Sequence, residues 1–224
     1  LGIDQITNTY NIIRQHEPSA SFTIFPVTVD SGYEGPQAIL NNIESFCSIA
    51  DIDAYSFTNN IDSALILEKY LLKPGFRVLS SGQRLLQSDL LELELVYKDL
   101  NLNFLQYSSG EDACILCLNH SLPYGLELQK KLLITGRTAS IFSINTHSDF
   151  NSEFILNEIK KTNKVVLIDD SRGHNSSLKN LSLKIHQSIP NSKVIDLVRN
   201  KSERLLKPYE DLMKVDYNAV LKFL

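Results

Sequence analysis

Ala113-Cys114-Ile115-Leu116-Cys117-Leu118, followed at once by the polar Asn119-His120-Ser121, is the stretch on which the fold turns. Six apolar residues in a row, bounded by polar turns, read as a strand buried on both faces. The polar residues behind it then form a loop at the strand's carboxyl end. Outward from this run the alternation is regular: helix Leu122–Leu133, strand Ala139–Ile144, helix Ser152–Lys161, strand Val165–Ile168, helix Leu178–Ile189 and strand Lys193–Leu197. Strands alternating with helices of this length imply βαβ units and a mostly parallel sheet with helices on both faces. Asn151 is suited to cap the helix that has Glu153 in its first turn, and Leu178, Leu181, Ile185 and Ile189 form the buried stripe of the last internal helix. Cys114 and Cys117 form a Cys-x-x-Cys, but no second ligand pair follows, so with Cys47 they read as buried thiols of a reducing, cytoplasmic compartment.

Toward the amino end the elements are less regular. Ile3, Ile6, Tyr10 and Ile13 recur at helical spacing. Phe22 to Val29 reads as one strand ending in the turn-rich Asp30-Ser31-Gly32-Tyr33-Glu34-Gly35-Pro36. Ile52–Phe57 is a second strand; Ile61, Ala64, Leu65, Leu71 and Leu72 mark a helix stopped by Pro74-Gly75; Arg77–Leu79 is a third strand. Gln83–Gly110 has mixed periodicity, with Phe104–Tyr107 as a candidate entering strand, and is read as the connection between two units. The first residues, Leu1-Gly2-Ile3-Asp4, lack a Met and are already in helical rhythm, so the chain is read as a fragment or a processed product.

Composition narrows the function classes. The 224 residues are 43% hydrophobic and 21% charged, which excludes disordered, collagen-like and coiled-coil chains. With 22 basic against 26 acidic residues the net charge is −4, so there is no field to draw in a nucleic acid. No apolar run is long enough to span a bilayer. Ligands of α/β sheets bind beyond the carboxyl ends of the strands. The loops there carry His120, then Asn145-Thr146-His147-Ser148-Asp149, then Asp169-Asp170-Ser171-Arg172-Gly173-His174-Asn175. None has a dedicated metal-ligand spacing. The Asp169-Asp170 pair is suited to acid/base work only if mutual repulsion raises one of the two. There is no nucleophile elbow, phosphate loop or dinucleotide fingerprint.

The order of the motifs resembles the C-terminal part of the transketolase superfamily: transketolases, deoxyxylulose-phosphate synthases and the beta subunits of 2-oxoacid dehydrogenases, pyruvate dehydrogenase among them. Ile3-Asp4-Gln5-Ile6-Thr7-Asn8 looks like the Asp-Gln-Ile-x-Asn helix of the beta subunits. Phe25 to Asp30 with Gly35-Pro36-Gln37 looks like the strand and Gly-Pro loop of the pyrimidine-binding domain. Ile52–Phe57 with Asn60-Ile61-Asp62-Ser63-Ala64, and Pro74 to Leu79, resemble the elements that follow there. Gly110-Glu111-Asp112-Ala113-Cys114-Ile115 is similar to the opening of the family's C-terminal domain, and Lys161 to Val166 with Asp169-Asp170 to its Lys-Thr-Gly-Arg-Val-Val…Glu-Glu strand.

What the resemblance implies is an α/β protein of two units. Residues 1–82 are the remainder of a pyrimidine-binding domain with an incomplete sheet, 83–107 a linker, and 108–224 a transketolase C-terminal-like domain. The parent would be a thiamine-diphosphate-dependent transferase or 2-oxoacid dehydrogenase component that moves a two-carbon or acyl unit on a small-molecule substrate. Thiamine diphosphate and Mg²⁺ would belong to the complete protein and not to this chain alone, since the family's activating glutamate lies upstream of Leu1. This piece would give packing, oligomerisation and part of the cleft wall, for which the candidates are Asp30, Gly35, Gln37, His120, His147, Asp169, Arg172 and His174. A homodimer, or a partner chain carrying the diphosphate-binding domain, is expected. Three departures point to a diverged member: Gln37 stands where the family has His after Gly-Pro, Arg172-Gly173-His174-Asn175 replaces its Gly-Gly, and Asn119-His120 replaces its Tyr-Gly or Thr-Gly. The alternatives are a non-catalytic partner-docking module, and a stand-alone hydrolase or metal enzyme built on the strand-end histidines.

Overall fold

A computed structural model describes residues 3–32, 41–48, 52–87, 93–172, 177–200 and 208–224. The first unit contains α1 (Ile3–His16), β1 (Ser21–Ile24), β2 (Val27–Thr28), α2 (Ile43–Ser48), β3 (Ala54–Ser56), α3 (Asn60–Tyr70), β4 (Gly75–Gly82) and α4 (Gln83–Gln87). β4 is the axis of its sheet: β1, β2 and β3 all pair with it in parallel. The expected single strand Phe22–Val29 is divided, because Pro26 has no N–H to give. β1 and β2 nevertheless keep one register along β4, Ile24 opposite Val78 and Val27 opposite Ser81. The Pro26 carbonyl bridges the break by accepting from the Ser81 amide at 3.3 Å.

Helix α1 lays Ile6, Tyr10 and Ile13 onto Phe76 and Val78 of β4, with the Tyr10 and Phe76 rings edge to face at 5.7 Å. Helix α3 starts with a capping box: Asn59 accepts from the amides of Ile61 and Asp62, and the Asp62 carboxylate accepts from the Asn59 amide.

The second unit contains β5 (Tyr97–Lys98), β6 (Phe104–Ser108), β7 (Ala113–Leu118), α5 (Leu122–Ile134), β8 (Ala139–Ile144), α6 (Glu153–Thr162), β9 (Lys164–Asp169), α7 (Ser177–Ser188), β10 (Lys193–Val198) and α8 (Tyr217–Phe223). Its sheet runs β10-β9-β7-β8-β6-β5. The first four strands are parallel, and β6 and β5 add antiparallel at the edge. The segment read as a connection therefore ends inside the second sheet. Helices α5 and α8 cover one face of this sheet, α6 and α7 the other, and every residue of β7 is buried between them. Gly110 is required where the chain turns into β7, because a Cβ there would overlap the Ala139 backbone. Ser152, and not Asn151, occupies the N-cap position of α6; Asn151 stands one residue earlier, its side chain accepting from the Glu153 amide at 2.9 Å. The three cysteines are buried and free.

The two sheets are stitched together. Tyr55 of β3 forms an antiparallel bridge with Thr146, just past β8. The Ser56 amide donates to the Asn145 carbonyl at 2.7 Å, and the His147 amide to the Ala54 carbonyl at 2.9 Å.

Candidate functional site at the crevice between the sheets

The polar loops after β7, β8 and β9 lie beyond the carboxyl ends of parallel strands, where α/β proteins hold ligands. In this chain α2 and β2 reach them: Glu44 contacts Asn119 and His147, and Thr28 lies against His120. Asn119 adopts a left-handed conformation (φ 58°), one that asparagine tolerates. Its amide donates to Asp169 at 2.7 Å. Asp169 also accepts from the amide and the hydroxyl of Ser171 at 2.8 and 3.0 Å.

Five of the candidate residues fall among the described ones, and all five are engaged within the chain. Asp30 pairs with Arg84, which donates its backbone amide (2.9 Å) and its Nε (3.2 Å). His120 is buried; its Nδ1 lies 3.3 Å from the Thr28 hydroxyl and its Nε2 has no partner. Burial lowers the His120 imidazole to about 4, so it is neutral at pH 7. His147 reaches Ser56 Oγ with Nε2 at 2.6 Å and Glu44 Oε1 with Nδ1 at 3.4 Å. Asp169 is bound as described, and Arg172 grips Asp211 with Nε (2.9 Å) and Nη2. Gly35, Gln37 and His174 lie outside the described residues.

Of the residues that organise the crevice, Glu44, Arg199 and Asp211 were not singled out from the sequence, whereas Asp170 was. Glu44, on α2, receives the Ser177 amide (2.8 Å) and hydroxyl, the Asn119 side chain at 3.5 Å and the contact from His147. Burial raises this carboxyl, yet the nearby His147 imidazole and the bonds from Ser177 outweigh it and hold Glu44 below the usual carboxylate range. Asp170 accepts from the Asn41 side chain and the His120 amide, both at 3.0 Å, and is raised to about 7. Burial is the main cause, opposed by Arg199 and reinforced by Asp169. Like-charge repulsion, the cause on which acid/base work by this pair depended, is the smaller contribution. Arg199 joins Arg172 on Asp211, donating Nη1 at 3.1 Å, and its Nε donates to the Asp170 carbonyl at 2.6 Å.

Ser56, His147 and Glu44 stand in the order of a nucleophile, base and orienting acid. Ser56 has no accessible surface, however, and sits within β3. No substrate reaches its hydroxyl, so the series joins the two sheets and does not support the hydrolase reading. Among the described residues no group of three or more His, Cys, Asp or Glu is arranged to hold a metal ion. Arg84, Arg172 and Arg199, the cations suited to a diphosphate, are turned onto Asp30 and Asp211. The described residues therefore do not fit Mg²⁺ or a diphosphate.

No family model matches the sequence, and no curated protein is significantly similar to it. Solved structures do share its fold. A split-gene transketolase described as an inactive beta4 tetramer superposes with a TM-score of 0.64 at 14% identity, over 89% of this chain and 65% of that one. The transketolase of Campylobacter jejuni superposes with a TM-score of 0.58 at 12% identity, over 90% of this chain and 29% of that one. The chain thus spans less than two thirds of the length of either. Its two sheets, their joint and their connecting order have the fold of the C-terminal part of a transketolase.

Proposed function

We propose that this chain is the C-terminal part of a thiamine-diphosphate-dependent transketolase-like enzyme, one that moves a two-carbon or acyl unit and needs further polypeptide for its chemistry. In this reading residues 1–82 and 108–224 supply packing, an oligomer surface and one wall of the cleft. The cofactor, when bound, would supply the carbanion chemistry. The assembly would be a homodimer or a pairing with a chain that carries a diphosphate-binding domain, in a reducing cytoplasmic setting that suits three free thiols. The observation that carries the reading is the joint fold: both sheets and the Tyr55–Thr146 bridge between them occur in one arrangement that superposes over 89% of the chain on the split-gene transketolase.

Calorimetric titration of thiamine diphosphate with Mg²⁺ tests it. Heat of binding is expected only from the assembly that includes a diphosphate-binding domain, and not from the 224-residue chain. Binding by neither would favour the second reading, a partner-docking module of a diverged transketolase-like protein. That reading draws on the crevice itself, where the described candidate side chains are engaged by other residues of the chain.

A further inference from the structure

The Glu44 carboxylate is held as a ligand is held. One of its oxygens faces the Ser177 amide, at the first turn of the twelve-residue helix α7. The other receives the Ser177 hydroxyl, the Asn119 amide at 3.5 Å and the approach of His147 Nδ1 at 3.4 Å. These donors come from two loops and the start of α7 in the second unit, whereas the carboxylate comes from the first. The cradle is therefore complete without Glu44. One of its members, His147 on a side chain 3% exposed, brings Nδ1 to 3.4 Å from the carboxylate without an aligned hydrogen bond to any group. A cavity of about 40 Å³, lined by His147, Ser177, Asn180 and Lys184, opens against the same site. A helix amino terminus with converging amide, hydroxyl and imidazole donors selects a small anion, and two-oxygen geometry selects a carboxylate.

We propose that the Asn119–His147–Ser177 cradle is a carboxylate-binding site of the second unit in which Glu44 is the resident ligand, so that a free small monocarboxylate occupies it when Glu44 is withdrawn. The contact that joins the two units there is then a side-chain carboxylate seated in an anion site of the second unit. The proposal does not depend on the cofactor.

The test is chemical rescue by acetate on the full 224-residue chain, at constant ionic strength with chloride as control. Glu44→Ala is expected to lower the thermal midpoint, and acetate to restore it in a saturable way. Wild type and Glu44→Gln, whose side chains still fill the cradle, should show no saturable response. Adding Ser177→Ala to Glu44→Ala should weaken the acetate response about tenfold or more, because a hydrogen bond to a charged group is lost. An acetate response equal in wild type and Glu44→Ala, or one indifferent to Ser177, overturns the proposal. If Glu44→Ala does not fold in chloride, refolding yield in acetate against chloride is the readout: a higher yield in acetate supports the site, and equal yields overturn it.

Discussion

The Asn145 side chain donates to the Asp62 carboxylate across 2.8 Å, tying the loop after β8 to the first turn of α3. The same carboxylate accepts from the Thr58 amide and hydroxyl and from the Asn59 amide, and Asn59 in turn donates to the Tyr107 hydroxyl at 2.8 Å. Asp62 is fully buried. Asp62→Ala strands several donors at once and is expected to cost about 3 kcal/mol or more. Asn145→Ala removes one donor and should cost about 1–3 kcal/mol. Urea denaturation of both single variants and the double checks this: the double should cost less than the two singles together, since the pair shares one network.

Acid and alkaline shifts in the crevice have opposite signs. Burial raises Asp62 to about 6 and Asp170 to about 7, whereas carboxyls of the unfolded chain titrate near 4. The folded chain therefore binds more protons in the window between, and these two groups make stability fall as pH rises through it. His120 does the reverse: the unfolded imidazole is protonated below about 6.5 while the folded one stays neutral down to about 4, so its contribution is lost as pH falls through that range. Relative to wild type, Asp170→Asn should gain ground as pH rises from about 4 to about 7. His120→Gln should gain ground as pH falls from about 6.5 to about 4. Denaturation midpoints across that window, compared with wild type, decide both; parallel curves would refute them.

Asp211 is shared by two buried guanidiniums, those of Arg172 and Arg199. Asp211→Ala leaves both without their carboxylate and is expected to cost about 3–5 kcal/mol. Replacing all three residues by apolar ones of similar volume should recover much of that loss. Guanidinium unfolding of the single and triple variants is the measurement, and a triple variant no more stable than Asp211→Ala would show that the cluster holds more than its own charges.

Thiol chemistry offers a direct check on the second core. Burial pushes the thiols of Cys47 and Cys114 up to about 12, and that of Cys117 higher still. None is expected to react with Ellman's reagent in the folded chain, and three should react in denaturant, at a rate that follows unfolding. Prompt labelling of Cys114 or Cys117 under native conditions would contradict a β7 closed between helices.

The second sheet was legible in the sequence because β7 is apolar over its whole length, β9 is apolar through its centre, and the intervening helices keep their stripe. The crevice was legible only in part. The loops at the strand ends were located, and His120, His147, Asp169 and Arg172 do lie there. What they bind was hidden, because Glu44 meets Ser177 across 133 residues and Arg172 meets Asp211 across 39, separations that leave no local pattern. Helix α2 is six residues long, too short to show a period, and so the residue at the centre of the cradle gave no signal. Pro26 was visible as a strand breaker, but whether a register survives it depends on β4.

The Tyr55–Thr146 bridge bears on synthesis at the ribosome. Strand β3 leaves the ribosome 91 residues before the segment that closes over it. At ordinary translation rates that delay is on the order of 5 to 20 s. During it, the Ser56 amide and the Asp62 carboxylate wait for Asn145, which does not yet exist. A holdase that engages nascent chains would find an opening on this chain in that interval, and synonymous codons that slow translation between β4 and β8 would lengthen it.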